Sequence, residues 1–419
     1  MYHADHNNDE LPRFLLIHLD GLSYTELNRA IAERLTPAIA RFVSDNAALM
    51  ETYSLVPTNT LNFFLRLLAD PAAHVVGSRW QQRTTGRTVD IRHAGSLHRI
   101  ETQSRVSRDG PFDNALLFGT LLGAKAYSAG MVVSNRTWGN ILRTIRILSS
   151  SFLPVFFSSP MGWSNAAVVG RIDAMGARSI AAAMRSRQHT VVYICLSQYD
   201  QYSHKHGLRS SQSDLALQAC DGLVDSLLQC ANNYGYLPLL FSDHGLAPSS
   251  PFSEIAGKEL KDVLKLLCPN SVCKIFPSGN LAHVYIENEN NDLRGQTLFN
   301  VAQRVSEIDE IGLVIAKIGS EQSVFFKSGE EIDASSVCEK DARLAPALRR
   351  LAGHRDSGDL LLFGAIVNDR AVNFMHQRAC HNGWSLSQTQ SFLAGRIALP
   401  TDNERDIVKL LLRATSQAR

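Results

Sequence analysis

Three short apolar runs that each lead into an aspartate constrain the fold of this chain most strongly. The runs and their acids are Phe14–Leu19 with Asp20, Val191–Leu196 with Asp200, and Leu237–Phe241 with Asp243. Continuous apolar runs of this length are typical of parallel strands that are buried on both faces. A helical pattern over Ser213–Ala231 separates the last two runs. Strand, helix and strand, with acids at the strand exits, predict an α/β fold whose site lies at the carboxyl ends of the strands.

Further patterns divide the chain into a core and an insertion. Apolar residues at helical spacing predict helices over Tyr24–Arg34 and Thr36–Asn46, and Pro37 suits the first position of the second helix. Strand-like alternation returns after Leu281, where it could complete the sheet or form a small lobe. We therefore expect a disordered tail at 1–12, a core at 13–76 and 190–419, and a cap over the site at 77–189.

Length, composition and charge exclude several classes of protein. At 419 residues the chain is about three times the usual size of a single domain, so we expect two domains or one large α/β domain with insertions. Hydrophobic residues make up 45% and charged residues 20% of the chain, which is the balance of a globular protein. A net charge of only +2, without a long basic run, argues against a protein that coats nucleic acid.

The cysteines and the apolar runs indicate the cellular compartment and whether the chain could span a membrane. Seven widely spaced cysteines without a CxxC pair argue against a disulfide framework and against a structural zinc knuckle. The first residues are polar and acidic, so we expect no signal peptide and predict a cytoplasmic protein. The apolar run Ile147–Phe157 is too short to span a membrane. We expect the basic amphipathic segment Trp138–Leu148 to pack on the body of the protein rather than to contact a membrane.

Five short segments concentrate the side chains that bind metal ions. They are Asp20-Gly21, the loop Pro57-Thr58-Asn59-Thr60, Asp200 to His204, Asp243-His244-Gly245, and His381-Asn382-Gly383. Each segment alone has an ordinary explanation, because an aspartate after a strand often caps a helix and a histidine is often structural. Their joint occurrence in one chain instead favours a shared metal site.

The spacing within these segments indicates how they bind. Asp200 and His204 are four residues apart, so on a helix they project from one face. Asp243 and His244 are adjacent and must lie on a loop, where Gly245 would permit the backbone twist that aims both inward. Oxygen and imidazole ligands without thiolate suit zinc, and manganese less strongly. Carboxylates from two segments suit two ions roughly 3.5–4 Å apart.

The order of these motifs resembles the alkaline phosphatase superfamily, specifically its type I phosphodiesterase/nucleotide pyrophosphatase branch, and it is similar to bacterial alkaline phosphatase family proteins. The flanking Thr36-Pro37 and His206-Gly207 agree with it. The resemblance implies a mostly parallel central sheet sandwiched by helices, with a cap insertion. It also implies that Thr60 is the nucleophile. The implied ligands are Asp20, Thr60, Asp243 and His244 for one divalent ion, and Asp200, His204 and His381 for the other.

The physical logic of that implied site is independent of the family. A free threonine hydroxyl is a poor nucleophile at neutral pH, and coordination to a dication makes its alkoxide accessible. The same ions would neutralise phosphate oxygens, and a phospho-threonine would form and be released by water.

The chain departs from the family pattern at three places. Thr60 is followed by Leu61-Asn62 instead of Phe-Pro-Asn, and the asparagine that binds a phosphate oxygen further on has no clear counterpart. Asn62 and Arg79 are our candidates for phosphate binding, with Ser78 also near that place. The final histidine of the family pattern stands here in His-Asn-Gly rather than His-Gly, so His376 competes with His381 as the last metal ligand. Of the remaining histidines, we interpret His18 as a packed strand residue or a neighbour of the metal ligands, and His283 as a strand residue.

The predicted function is cleavage of a phosphodiester or pyrophosphate bond in a small-molecule phosphate ester or nucleotide. A phosphomonoesterase or a phosphoryl-transferring mutase would share the same metals. A catalytically silent binding protein on this fold is the third alternative, although a scaffold has no physical need for so many buried ligands. A sulfatase is disfavoured because no Cys/Ser-x-Pro-x-Arg sequence stands at the nucleophile.

Overall fold

The fold is taken from a computed structural model. It describes residues 12–45, 48–68, 75–90, 115–118, 121–123, 126–128, 166–269, 271–287, 294–318, 322–338, 343–368, 370–396 and 404–416. The predicted tail and the segment Trp138–Leu148 lie outside the described residues, apart from residue 12.

The described residues form strands and helices with the following bounds. The strands are β1 Arg13–Leu19, β2 Ala48–Tyr53, β3 Arg79–Gln81, β4 Thr88–Asp90, β5 Ala115–Phe118, β6 Leu121–Gly123, β7 Ala126–Ser128, β8 Val191–Leu196, β9 Tyr236–Phe241, β10 Ala247–Pro251, β11 Val272–Ser278, β12 Leu281–Glu287, β13 Ile311–Ile318, β14 Gln322–Lys327, β15 Glu330–Ile332, β16 Leu360–Gly364, β17 Ile366–Val367, β18 Arg370–Asn373, β19 Ala379–Cys380 and β20 Gln390–Gly395. The α-helices are Tyr24–Ala32, Pro37–Ser44, Thr60–Leu68, Ala166–Ser186, Gln198–His206, Ser211–Tyr234, Phe252–Ala256, Leu260–Leu267, Arg294–Ser306, Leu344–Gly353, Leu386–Thr389 and Ile407–Ser416, and Ser336–Cys338 is a 3₁₀ helix.

A six-stranded sheet in the order β2-β20-β9-β1-β8-β5 carries the three predicted aspartates. β9, β1, β8 and β5 are parallel, whereas β20 runs antiparallel to β9 and β2 antiparallel to β20. β1 lies between β8 and β9, so the carboxyl ends of the three strands meet at one edge. The prediction of an α/β fold with these strands is therefore confirmed.

Both faces of this sheet are covered by apolar side chains, which explains its continuous apolar runs. On one face, Leu15 and Ile17 of β1 pack with Leu217 and Val224 of helix Ser211–Tyr234. On the other face, Phe14 and Leu16 pack with the helices Thr60–Leu68 and Ile407–Ser416. Alternate residues of β1 thus point to opposite helix layers, as the two-residue period of a strand requires.

Of the strands after Leu281, β20 joins the first sheet beside β9, whereas β12 to β16 form a separate sheet together with β11. Its order is β11-β12-β16-β13-β14-β15, and all its pairings are antiparallel. The sheets taken together are therefore mixed. A small sheet, β17-β18-β10-β19, pairs the strand after Asp243 with the strand before His381. This pairing brings the late histidine back to the edge where the aspartates lie.

The range 77–189 contributes elements to the core. β5 pairs with β8 as an outer strand of the first sheet, and Ile172 and Ile180 of helix Ala166–Ser186 pack in the core beside Val192 of β8. A capping role stays a prediction for the rest of this range. Among the residues that the structure describes, no helix combines the length and the apolar character needed to cross a bilayer.

Candidate metal centre

The three aspartates follow β1, β8 and β9 at the carboxyl edge of the sheet. Asp20 comes directly after β1, Asp243 comes two residues after β9, and Asp200 lies in helix Gln198–His206 just after β8. All three are buried. Burying a carboxylate costs free energy unless a cation or several hydrogen-bond donors stabilise it. Three buried carboxyl groups at one edge of the sheet therefore favour a bound cation there.

One group of ligands consists of Asp200, His204 and His381, whose ligand atoms all lie within 4.8 Å of one another. His204 Nε2 is 3.3 Å from Asp200 Oδ2, one helical turn away. The Nδ1 atom of His204 lies 2.7 Å from the Ala379 carbonyl oxygen, and that of His381 lies 2.6 Å from the Thr58 carbonyl oxygen. A carbonyl oxygen can accept a hydrogen bond only from an Nδ1 that carries a proton. With the proton on Nδ1, the Nε2 atom of each histidine is left to bind a cation.

A second group surrounds Thr60. The Thr60 hydroxyl donates to Asp20 Oδ1 at 3.2 Å. His244 Nε2 lies 3.8 Å from Asp20 Oδ1 and 3.3 Å from Asp243 Oδ2. The rings of His244 and His381 are stacked with centroids 4.3 Å apart, so the two groups adjoin. The seven predicted metal ligands are thus brought together.

Thr60 is the first residue of helix Thr60–Leu68. The Asn59 side chain accepts the Asn62 N–H at 2.8 Å, and the Asn59 carbonyl accepts the Phe63 N–H at 3.1 Å, so Asn59 caps this helix. The helix therefore begins at the hydroxyl. A helix N-terminus favours negative charge beside it, which suits an anionic substrate at Thr60.

The carboxylates perturb one another. Burial, Asp200 and Asp243 raise the pKa of Asp20 well above its usual range. Burial opposes ionisation of Asp200 as well, but His204 outweighs it and the pKa of Asp200 is lowered. The pKa of Asp243 is also lowered, since His244 and His18 outweigh its burial. Neighbouring histidines thus favour ionisation of two carboxyl groups, whereas the third resists ionisation without a nearby cation.

The histidines are perturbed in opposite directions. Burial would lower the pKa of His204, but the Asp200 carboxylate outweighs it and raises that pKa. Burial, followed by His244 and His204, lowers the pKa of His381 to about 3. A neutral imidazole with a free nitrogen is the form that binds a metal ion.

Several buried ligand atoms have no hydrogen-bond partner among the described residues. Three of them are Asp200 Oδ1, Asp243 Oδ2 and His244 Nε2. Buried polar atoms are almost always paired, so unpaired atoms converging on one place need an explanation. Two divalent cations would satisfy them, and oxygen and imidazole donors fit zinc or manganese.

Gly21 lets the first and second aspartate segments approach each other. Its φ is +72°, in the left-handed region, and a Cβ there would lie 2.8 Å from Asp200 Oδ1. Gly245 was predicted to permit a twist of the backbone, but its role is different. Its φ is outside the left-handed region, and a Cβ there would collide with the Ser387 carbonyl oxygen and come within 2.6 Å of Ser23 Cβ. Close packing, rather than twist, requires Gly245.

Comparison with known families identifies the chain's relatives. Residues 71–328, more than half of the chain, match the model of the type I phosphodiesterase / nucleotide pyrophosphatase family. The chain belongs to this family. Asp200, His204, Asp243 and His244 lie within the matched residues, whereas Asp20, Thr60 and His381 lie outside them. No curated protein matched the sequence.

Solved structures agree with the fold of this phosphodiesterase-family chain. One is phosphonoacetate hydrolase from Sinorhizobium meliloti 1021 in complex with phosphonoformate, at a TM-score of 0.61. Another is the same hydrolase in complex with phosphonoacetate, at a TM-score of 0.63. Each has 14% sequence identity, and each alignment covers 98% of this chain and 96% of the other. At this identity the likeness shows the fold alone.

The two predicted phosphate-binding residues are engaged elsewhere. The Asn62 amide donates to the Pro57 carbonyl at 3.2 Å, and its oxygen lies 3.4 Å from the Val75 N–H. Arg79 lies on β3, 3.7 Å from Asp90 Oδ2, with its guanidinium over the Phe276 ring. These contacts hold the Asn62 side chain between Pro57 and Val75 and place Arg79 within the β3–β4 pair. A role for either residue in phosphate binding stays a prediction.

The structure separates the two rival histidines. His381 belongs to the ligand group, whereas His376 lines a different cavity of about 230 Å³, together with Phe252 and Phe374. The β10–β19 pairing decides between them, because it ends directly at His381.

Asn382 is a site residue that the sequence reasoning missed. Its N–H donates to Thr58 Oγ1 at 2.9 Å, and its side-chain oxygen accepts from Asn59 Nδ2 at 3.1 Å. Its φ of +69° is left-handed, which asparagine tolerates better than most residues. Asn382 therefore ties the last ligand segment to the loop that carries Thr60. The insertion of asparagine into the late His-Gly motif was the available signal.

Proposed function

We propose that this chain is a metal-dependent hydrolase that cleaves phosphodiester or pyrophosphate bonds of a small-molecule phosphate ester or nucleotide. The observation that carries the proposal is the Thr60 hydroxyl, which is hydrogen-bonded to Asp20 at a helix N-terminus and lies beside the two groups of candidate ligands. Membership of the phosphodiesterase family supports the reaction class.

The ligand sets follow from the two groups. Asp20, Thr60, Asp243 and His244 would hold one cation, and Asp200, His204 and His381 the other. Bound divalent ions would ease deprotonation of the threonine hydroxyl and neutralise phosphate oxygens. Zinc fits this donor set best, and manganese is the alternative.

The chain's own residues position the reaction. The hydrogen bond to Asp20 orients Thr60 Oγ1, and a phosphate bound at Thr60 would lie at the start of helix Thr60–Leu68. In the first step Oγ1 forms a bond to phosphorus, the bond to the leaving oxygen breaks, and the leaving group takes a proton. In the second step water attacks phosphorus, the Oγ1–phosphorus bond breaks, and Thr60 regains its proton. The covalent intermediate is a phospho-threonine.

The test compares the purified chain with variants of the Thr60 loop. Thr60→Ala should keep its fold and most bound metal but lower turnover of bis-p-nitrophenyl phosphate by about three powers of ten or more. Thr60→Ser, the matched control, keeps a hydroxyl and should retain far more turnover. Thr58→Ala removes only the acceptor of the Asn382 N–H and should have a modest effect.

Substrate comparison separates the alternatives. Faster turnover of p-nitrophenyl phosphate by orders of magnitude would favour a monoesterase over the proposed diesterase. Phosphonoacetate is a useful third substrate, because the solved structures with this fold are of a phosphonoacetate hydrolase. A chain that purifies without metal and shows no chelator-sensitive cleavage of any of the three would be a silent binding protein, and the proposal would be wrong.

A further inference from the structure

His18 is a buried histidine outside the predicted ligand sets. It lies on β1, two residues before Asp20, and its relative exposure is 0%. Its ring is stacked on Phe241 with centroids 5.2 Å apart and tilted against Phe63 at 5.1 Å. An imidazole in an aromatic layer needs partners for both nitrogens, because burying an unpaired polar group is costly.

Both nitrogens of His18 face polar atoms. Nδ1 lies 2.5 Å from the Tyr193 hydroxyl, which comes from β8. Nε2 lies 2.9 Å from Asp243 Oδ1, which comes from the loop after β9. The tyrosine hydroxyl can donate to Nδ1, whereas Nε2 contacts the carboxylate at short range without the angle of a hydrogen bond. His18 thus connects the two strands that flank its own.

The two oxygens of Asp243 have different surroundings. Oδ1 accepts the His244 N–H at 2.9 Å and the Gly21 N–H at 3.4 Å, in addition to facing His18. Oδ2 has no hydrogen-bond partner among the described residues and lies 3.3 Å from His244 Nε2. One oxygen is held by the protein and the other is left for a cation.

We propose that His18, oriented by Tyr193, is a positioning residue that holds Asp243 Oδ1 so that Oδ2 points to the metal. This inference rests on the proposed function, because it requires that Asp243 binds a cation. Partners of ligating groups fix ligand orientation, and their loss typically costs about 10- to 100-fold in metal affinity. The rival is direct ligation, since ligand atoms of His18, Asp20 and Asp243 lie within 4.8 Å of one another. The crowding of donors around Oδ1, which His18 faces, favours positioning.

The experiment measures zinc stoichiometry and affinity of the full chain by competition with a chelating dye. His18→Phe keeps a ring in the aromatic layer and removes the nitrogen. We expect it to bind the wild-type number of zinc ions at saturation, with about 10- to 100-fold weaker affinity at one site. His18→Gln carries a donor near the Nε2 position and should recover most of that loss. Tyr193→Phe should weaken the same site by less.

The control is Tyr236→Phe, which removes the hydroxyl bonded to the His189 carbonyl at the amino end of β9 and should leave zinc affinity unchanged. Thermal unfolding identifies variants that do not fold. If His18→Phe does not fold, the zinc affinities of His18→Gln and Tyr193→Phe test the proposal instead. One zinc ion fewer at saturation in His18→Phe would make His18 a ligand and overturn the positioning role. Unchanged affinity in His18→Phe or Tyr193→Phe would also overturn it. A wild-type chain that binds no zinc would refute the proposed function itself before any variant is compared.

Discussion

Replacing Asp173 by asparagine tests how the helix that carries two ligands is anchored. Asp173 lies on helix Ala166–Ser186 and is fully buried. Its Oδ2 accepts the Gln198 N–H at 2.9 Å, at the start of the helix that contains Asp200 and His204. Its Oδ1 has no hydrogen-bond partner in the described part of the chain. A carboxylate buried with so few donors should resist ionisation.

The magnitude follows from the pKa. Burial raises the pKa of Asp173 from 3.8 to about 8, against the opposing effect of the Gln198 and Ser197 N–H groups. At about 1.4 kcal/mol per pKa unit, this shift corresponds to at most about 6 kcal/mol. The folded chain binds more protons than the unfolded chain between these pH values. The free energy of unfolding should therefore fall as pH rises from about 4 to about 8, and level off above.

Asp173→Asn should remove this fall. The asparagine oxygen can still accept the Gln198 N–H, but the side chain does not ionise. Its amide nitrogen would occupy the place of the unpaired Oδ1, at a cost of about 1–3 kcal/mol at every pH. The variant is therefore expected to be less stable than the wild type at pH 4.5 and more stable at pH 8.

Urea unfolding of chelator-treated protein between pH 4.5 and 8.5 measures the difference. Asp225→Asn is the control, because it removes one negative charge from a side chain that is 38% exposed. Wild-type and Asp173→Asn free energies that stay parallel across the whole range would show that burial of this carboxyl does not govern the pH dependence.

Two further predictions concern the metal centre. Gly21→Ala should lower the free energy of unfolding by about 1–2 kcal/mol through backbone strain, and it should also weaken zinc binding by displacing Asp200. Gly257→Ala is the control, because Gly257 has a similar φ of +64° and an added Cβ there would have nothing within 4 Å. This variant should show the loss of stability alone. Equal zinc affinity in the two variants would contradict the role given to Gly21. In metal analysis, His376→Ala should retain both ions, whereas three other changes should each empty one site and preserve the second: Asp200→Asn, His204→Ala and His381→Ala. Loss of both ions in all three would mean that the ligand partition is wrong or that the sites fold together.

Local pattern determined much of the fold. The strand before Asp200 has the predicted bounds, and those before Asp20 and Asp243 begin one residue earlier than predicted. These strands could be predicted because an apolar run buried on both faces is a local property of the sequence. The helix predicted over Tyr24–Arg34 ends at Ala32, and Arg34 adopts a left-handed φ of +59°. Helix ends depend on the chain that follows, so they were less predictable.

The Asp200–His204 pair was predictable because, like the apolar strands, it is a local property of the sequence. Its geometry depends only on the helical spacing of two residues four apart, and the structure places the two side chains 3.3 Å apart. The choice between His376 and His381 had no such local basis. It depended on β19 pairing with β10, a strand more than one hundred residues earlier.

The sequence by itself determined which residue types meet at the edge of the sheet, because strand and helix periods act over a few residues. Only the tertiary structure decided what each polar atom does there. The Asn62 side chain is hydrogen-bonded to the backbone of Pro57 and Val75, and Asn382 joins the segment after β19 to the loop before Thr60. One carboxylate oxygen of Asp243 accepts hydrogen bonds, and the other has no hydrogen-bond partner among the described residues. Hydrogen-bond partners are supplied by segments that are remote in the chain, so no local pattern reveals which donors and acceptors remain available to a metal or a substrate.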